Sequence, residues 1–398
     1  MLFICDVTGA RLSSSSSDSA QSIVARLFSS IWKSSSTTSS KRDAKLDEIR
    51  QPQRQKTTRE SQNRQKFNDL NEARSSSTPE DQAMHAQIQI VERFVIATAQ
   101  KGPLGLAEEY RNIPAFPDPT AKFTAFTANM RKNRYSDVHC IDSTRVVLKI
   151  DSERSGDYIH ANYVQNELLN RKFICTQGPL QDTTYDFWRM VYQEKINSIV
   201  MLCSPNEEGR TKCDEYWPEG KGNKNEYSSL IVENVGQDDD DFKTTQLIIS
   251  PNPAFDWSKE DKAKTKHQFV HLYRWSRWPD RGIPDKESVM IPLRLLDLIK
   301  SGPSVIHCSA GIGRTGSLMV IEIALKTIMS GQELNIRQIT EDLRKSRCQC
   351  VQNEMQYLYV HRILIEYAIQ YMNTEKTKKG KEACFRFLED YNSRLGKK

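Results

Sequence analysis

Apolar positions along the chain change their spacing twice. In "STPEDQAMHAQIQIVERFVIA" (77–97), Met84, Ile88, Val91 and Val95 recur at helical spacing, which predicts a helix with one buried stripe. Thr78 is placed to cap it, Pro79 fits its first position, and Glu80 and Asp81 suit the positive end of its dipole. From about residue 140 the texture becomes short β-rich runs: "TRVVLKI", "KFICTQ", "NSIVMLC", "SLIVENV", "TQLIIS", "QFVHLYRW" and "SVIHC". Beyond residue 313 it turns helical again, through "RTGSLMVIEIALKTIM", "IRQITEDLRKS" and "NEMQYLYVHRILIEYAIQ". Strands in the middle, flanked and covered by helices, predict an α/β domain on a mixed, twisted β-sheet, spanning residues 78–373.

The flanks read differently. Residues 1–77 carry serine runs and a polar, charge-mixed stretch that cannot bury enough apolar surface to offset its ordering entropy, which predicts disorder. One patch there, "SIVARLFSSIWKSSS", is basic and free of acid; it reads as linker, with a transit peptide or membrane-surface helix as the alternative. Residues 374–398 are lysine-rich and read as a basic tail with a short amphipathic patch around Phe385–Leu388.

Composition narrows the class. Hydrophobic residues make up 37% and charged residues 27%, as in a soluble globular protein with polar ballast. The net charge of +6 favours anionic ligands without pointing to nucleic acid. The opening "MLFIC" is too short for a secretory leader, and no apolar stretch is long enough to span a bilayer. Nine scattered cysteines then point to free thiols in a reducing, cytoplasmic setting. No paired C-x2-C spacing is present, so neither a metal nor another cofactor is expected.

Two cysteines are followed by an arginine six positions on, in "CDVTGAR" (5–11) and "CSAGIGR" (308–314). That spacing is the skeleton of a thiol-based phosphate-cleaving site, but it is short enough to arise by chance. Context separates the two. "SVIH" is fit for a buried strand that delivers Cys308 at its carboxyl end. Ser309, Ala310, Gly311, Ile312 and Gly313 then form a loop in which both glycines are free to take positive φ and turn N–H groups inward as an anion nest. A helix follows at once, with its positive end toward that loop, and these features together favour the thiolate. Arg314 supplies a planar, permanently charged fork for two phosphoryl oxygens, and Thr315 places a hydroxyl where it can hydrogen-bond the sulfur. Around Cys5 there is one glycine, Asp6 beside the sulfur, and a serine run where a helix is needed. A lone cysteine in a strand-to-helix turn is ordinarily inert; the intact "HCSAGIGRTG" argues for chemistry at Cys308. His307 precedes it, but adjacent strand residues face opposite ways, so its ring cannot act as base for Cys308 and is expected to hydrogen-bond backbone and help set the thiol pKa.

"VIHCSAGIGRTG" resembles the signature loop of the classical, cysteine-based protein tyrosine phosphatases. "KNRYSDV" (132–138), "DYIHANYV" (157–164), "TQGPLQDTTYDFW" (176–188), "KCDEYWP" (212–218), "WPDRGIP" (278–284) and "VQNEMQY" (351–357) resemble that family's other blocks, in its order, over nearly all of 84–372. The resemblance implies Asp280 as general acid and then base, on a mobile loop bounded by Trp278, Pro279 and Gly282. It implies Tyr135 against the substrate ring, Asp137 on the substrate backbone, Gln352 orienting the hydrolytic water and Gln356 near the phosphate. Glu207 and Lys212 match the loop that braces the signature arginine and the acid, with Glu208 a competitor for the bracing role. Two positions depart from the pattern: Arg281 stands where an aromatic residue or histidine is common, and His160, read as structural, replaces an asparagine.

The leading expectation is hydrolysis of phosphotyrosine in proteins through a phosphocysteine, by a metal-independent, non-receptor enzyme with one catalytic domain. A catalytically weak domain that binds phosphotyrosine is the alternative. A dual-specificity or lipid phosphatase fits less well, because such enzymes generally lack the "NRY" block.

Overall fold

The computed structural model describes residues 79–239, 242–259, 266–299, 301–370, 372 and 374–395. The chain divides into two units, residues 1–87 and 88–398, and the architecture here belongs to the second. Cys5, the serine-rich segment and the Thr78 cap lie outside the described residues.

Helix α1 (Pro79–Arg111) begins at the proline that the sequence places first. Its buried stripe runs through Ile90, Val91, Phe94 and Val95, whereas Met84 is exposed. The helix breaks at Gly102, which takes φ 62° and ψ 175° ahead of Pro103. A proline there has no N–H to give, and glycine absorbs the left-handed turn.

Eleven strands follow in the described residues: β1 (Arg145–Val147), β2 (Tyr158–Tyr163), β3 (Phe173–Thr176), β4 (Ser198–Met201), β5 (Asn206–Glu207), β6 (Arg210–Thr211), β7 (Lys224–Glu226), β8 (Leu230–Asp239), β9 (Lys243–Pro251), β10 (Gln268–Arg274) and β11 (Ser304–His307). Nine form one sheet in the order β1-β2-β3-β11-β4-β10-β9-β8-β7, while β5 and β6 make a separate hairpin. The central strands β3, β11, β4 and β10 run parallel, and the outer ones are antiparallel. Strands β3, β4 and β11 are buried at every position, as continuous apolar runs covered on both faces must be. The expected mixed sheet flanked by helices is therefore present. Strand β2 is one that the apolar pattern missed, because buried His160 and Asn162 interrupt it.

The main helices after α1 are α2 (Thr184–Gln193), α3 (Ile291–Leu298), α4 (Arg314–Met329), α5 (Ile336–Ser346), α6 (Glu354–Ile369) and α7 (Lys378–Leu395). Helix α4 is buried nearly all round, packed against β11, α3, α5 and α6. Helix α7 occupies most of the stretch expected as a basic tail. Ala383, Phe387 and Tyr391 lie one turn apart, with Cys384 beside them on the same face; all four are buried and help pack it on α6. The lysines masked that stripe in the composition. Among the described residues no helix is long and apolar enough to cross a membrane.

Candidate active site

Parallel strand β11 sits at the middle of the sheet, so the chain leaving its carboxyl end emerges in the crevice where open α/β sheets bind ligands. Cys308 is the first residue past β11 and is 3% exposed. The loop then turns sharply enough that Gly311 N–H donates to Cys308 Sγ at 3.3 Å. Gly311 takes φ +68°, and a Cβ there would lie 1.9 Å from Thr176 O, so only glycine fits. Gly313 was expected at positive φ too. It instead sits at φ −77° as the residue before α4, and its requirement is close approach. A Cβ on it would come 2.8 Å from Gln356 Nε2 and 3.1 Å from Gln352 Oε1.

Arg314 opens α4 and is buried. Its guanidinium grips Glu207 with both ends, Nη1 to Oε1 at 2.6 Å and Nη2 to Oε2 at 3.0 Å. Nη1 also donates to Trp278 O at 2.9 Å. Burial works against the charge, but the Glu207 carboxylate more than offsets it and pushes the guanidinium pKa up. The bracing partner is thus Glu207. Glu208 faces the cleft from the hairpin turn.

Asp280 reaches the same fork from the acid loop, its Oδ1 3.3 Å from Arg314 Nη2 and its Oδ2 2.6 Å from Lys212 Nζ. Burial alone raises such a carboxyl. The hydrogen bond from Lys212, with the charges of Arg314, Lys212 and Arg281, holds it below the ordinary carboxylate value. Trp278 anchors the loop: it is fully buried, its Nε1 donates to Gly282 O at 3.1 Å, and it packs edge-on against Tyr359. On the far side of the loop Asn353 Nδ2 donates to Arg281 O at 3.0 Å.

Tyr135 OH lies 2.8 Å from Ser309 Oγ, which donates in turn to Lys212 O at 2.9 Å. Arg134 fixes the tyrosine's loop through Gly178 O at 2.9 Å and Asp214 at 2.9 Å. Gln352 N–H donates to Gln356 Oε1 at 3.0 Å, and Val351 before it is held at φ 59° by a bond from its N–H to Ile312 O. A β-branched residue in that region is strained, and such strain gathers at functional loops.

One cleft of about 370 Å³ collects Tyr135, Asp137, Lys212, Asp280, Cys308, Ser309, Ala310, Gly313, Arg314, Gln352 and Gln356. Gly311, Ile312, Thr315, Glu207, His307 and Trp278 stand behind it rather than on its wall. The Thr315 hydroxyl does not reach the sulfur as expected: it is buried without a hydrogen-bond partner among the described residues, and Gly311 N–H is the donor instead. His307 is neutral, held down to about 4 by burial, with Nε2 2.7 Å from Tyr216 OH and Nδ1 3.2 Å from Cys308 O. Among the described residues no cluster of His, Cys, Asp and Glu could hold a metal ion.

Sequence reasoning missed Arg347. This buried arginine donates to Gly311 O at 2.7 Å and Ala310 O at 2.9 Å, from the side opposite the cleft. A nest with N–H groups turned inward must turn carbonyls outward, and Arg347 collects two of them. Its other partners are Asn162 Oδ1 at 2.8 Å and His160 Nδ1 at 3.1 Å. His160 Nε2 lies 2.8 Å from Val138 O, an acceptor only, so Nε2 carries the proton and Nδ1 accepts from Arg347. Burial, with the Arg347 charge adding to it, holds that imidazole neutral down to about 3.

The family model described as protein-tyrosine phosphatase matches residues 129–366. Receptor-type tyrosine-protein phosphatase eta of Mus musculus is 34% identical over 66% of this chain and 21% of its own. Receptor-type tyrosine-protein phosphatase C of Homo sapiens is 34% identical over 71% of this chain and 21% of its own. The chain thus spans about a fifth of the length of these relatives. A solved structure titled "Structural basis of PTPN18 fingerprint on distinct HER2 tyrosine phosphorylation sites" superposes with a TM-score of 0.59 at 27% identity, over 66% of this chain and 95% of that one. With a family model matched over more than half its length and the signature loop folded around Cys308, this chain belongs to the protein-tyrosine phosphatase family.

Proposed function

We propose that the chain hydrolyses phosphotyrosine in proteins through a phosphocysteine intermediate. The observation that carries this reading is the convergence of Cys308, the Arg314 fork and Asp280 on one cleft, with the Gly311 N–H donating to the Cys308 sulfur from behind it. The Cys308 sulfur attacks phosphorus as the bond to the tyrosyl oxygen breaks, and Asp280 gives that oxygen its proton. Arg314 and the loop N–H groups stabilise the equatorial oxygens throughout. Water placed by Gln352 then attacks the phosphocysteine, Asp280 takes its proton, and phosphate leaves with the thiolate restored. Before substrate arrives, Asp280 is paired with Lys212 and Arg314 and is held ionised. A phosphoryl dianion competes for Arg314 and adds negative charge beside the carboxyl, so binding itself favours the protonated acid. Tyr135 lines the cleft, and a tyrosine wall beside Cys308 suits the ring of a phosphorylated tyrosine better than the shorter phosphoserine. The thiolate must stay reduced, which suits a reducing compartment.

The test is phosphate release from a panel of phosphotyrosine peptides, with and without chelator. Turnover is expected in both conditions and lost in Cys308→Ser, which still binds peptide. Peptide binding without phosphate release from the unaltered chain supports the binding-domain reading instead, and release that needs added metal overturns the mechanism.

A further inference from the structure

Asn353 stands beside the cleft rather than on its wall, yet both ends of its carboxamide are engaged. Oδ1 accepts from Gln356 N–H at 3.0 Å and so caps α6. Nδ2 donates to Arg281 O at 3.0 Å, 72 positions away in the chain. An N–H needs an oxygen and a carbonyl needs a donor, so the two bonds together fix which end of the amide is which. The neighbours of this link give it meaning. Gln352 precedes Asn353, Asp280 precedes Arg281, and both line the cleft. In the hydrolysis step proposed above, both address the same water. One hydrogen bond between the residues that follow them therefore ties the pair together. The placement of Gln352 rests on the same cap: its N–H donates to Gln356 Oε1, on the residue whose N–H Asn353 holds.

The acid turn needs such a tie. Gly282 N–H donates to Pro279 O at 3.1 Å and closes a tight turn in which Arg281 holds φ 53°. That left-handed conformation strains a residue with a Cβ and persists where surrounding contacts over-determine it. Two neutral donors grip successive carbonyls of the turn, Asn353 Nδ2 at Arg281 O and Trp278 Nε1 at Gly282 O. Trp278 belongs to the same loop, so it shapes the turn without anchoring it to α6. The side chain of Asp280 is held by Lys212 and Arg314, and a phosphoryl group competes for Arg314. Among the described residues, Asn353 is thus the uncharged side chain that holds residues 279–282 from outside the loop. Its bond does not depend on how the ions re-pair when substrate enters.

We infer that Asn353 is a positioning residue whose bond to Arg281 O keeps Asp280 in register with Gln352 for the attack of water on the phosphocysteine. This rests on the phosphocysteine reading and deepens it, by adding a residue that touches neither substrate nor water. The bond exists only while the acid turn rests against the start of α6, so it favours that loop position over any other. Its effect falls on kcat, because the signature loop is held separately, by Gly311 against Thr176 and by Arg347.

The experiment separates the cap from the link in the full chain. Asn353→Ser keeps a capping oxygen and loses the amide nitrogen, whereas Asn353→Ala loses both. Melting temperature, Ki for inorganic phosphate, and steady-state and stopped-flow turnover of para-nitrophenyl phosphate are measured for each variant and the unaltered chain. The acidic nitrophenol departs unaided, so its turnover reports the hydrolysis step. In Asn353→Ser, kcat should fall by about 3- to 10-fold, as for one neutral hydrogen bond, with melting temperature and Ki unmoved. A burst of nitrophenol should precede the slowed steady rate as phosphocysteine accumulates. Asn353→Ala should show the same kcat and a lower melting temperature besides. A serine variant with the kcat of the unaltered chain overturns the inference. So does one whose melting temperature and Ki shift in step with kcat, which makes Asn353 a helix cap alone. A lowered kcat without a burst places the loss before the attack of water and overturns the register between Asp280 and Gln352. All three outcomes leave the phosphatase reading intact. If the unaltered chain does not cleave para-nitrophenyl phosphate, that reading fails and this inference fails with it.

Discussion

The loop after β11 and the loop after β10 meet over one cleft, yet different forces hold them. The signature loop is fixed by main-chain geometry and buried contacts: Gly311 against Thr176, Arg347 on the carbonyls of residues 310 and 311, and Gly178 N–H on Ser309 O at 2.8 Å. None of those contacts involves a group the substrate needs. The acid loop is held at its reacting end by charges. Asp280 keeps 27% of its side chain exposed and leans on Lys212 and Arg314, the cations nearest the phosphate site. A cradle that is complete beforehand costs no reorganisation at the moment of reaction. An acid tied to the phosphate's own partner must instead be re-paired when substrate enters.

Replacing Arg314 should break the comparison most severely. In Arg314→Lys the charge survives, but the fork that grips Glu207 and would straddle two phosphoryl oxygens does not. A loss of about 10³-fold in kcat is expected, and steady-state assays that keep most of kcat contradict the role. Asp280→Ala should cost about 10²–10⁴-fold in kcat while leaving the cradle and KM largely alone. The loss should be large for tyrosine and small for a strongly acidic phenol that departs unaided. An equal drop for both leaving groups means that Asp280 positions the loop without giving up a proton.

Arg347 sharpens the other side. Arg347→Met keeps the buried volume but frees two loop carbonyls, and about 10²-fold in kcat/KM is expected from a cradle slightly out of place. His160→Phe should weaken the same support, while His160→Asn, which restores a side-chain acceptor, should recover much of it. If melting temperature falls in these variants while kcat/KM and phosphate Kd stay put, Arg347 is only a structural arginine.

The same division explains what could be read from the residues alone. The sheet and the helix after Cys308 follow from local patterns: apolar runs, glycines and a helix start within "SVIHCSAGIGRTG", whereas Tyr135, Asp280 and Gln352 were tied to that loop only through the family resemblance. Arg347 was invisible because its partners lie up to 187 positions away, and "LRKSRCQC" reads as a charged helix end. The difference between Gly311 and Gly313 also needed coordinates, since φ follows from Thr176 and the glutamines packing around them. Helix α7 was hidden by its lysines, although Ala383, Phe387 and Tyr391 repeat every fourth residue. The Thr315 hydroxyl went the other way: the sequence offered a bond to the sulfur that the packing does not make.

The smallest effect tests the ionic tie directly. Lys212 donates to Asp280 and, with Arg314, holds its carboxyl below the ordinary value. Catalysis needs Asp280 protonated, and kcat/KM reports the free enzyme, so the rate falls as pH rises through the depressed pKa. In Lys212→Met that hydrogen bond and one positive charge are gone, the carboxyl pKa rises, and the basic limb of kcat/KM should move to higher pH. The stability linkage has the matching sign. A carboxyl depressed in the folded state stabilises it above the unfolded pKa, and that contribution is lost as pH falls through the folded value. The variant has less of it to lose, so its melting temperature should depend less on pH in the acid range. The kcat profile should move less than that of kcat/KM, because bound phosphate already dominates the field around Asp280. If both basic limbs stay where they are, the Lys212 contact is incidental, and the acid loop is held like the signature loop, by packing alone.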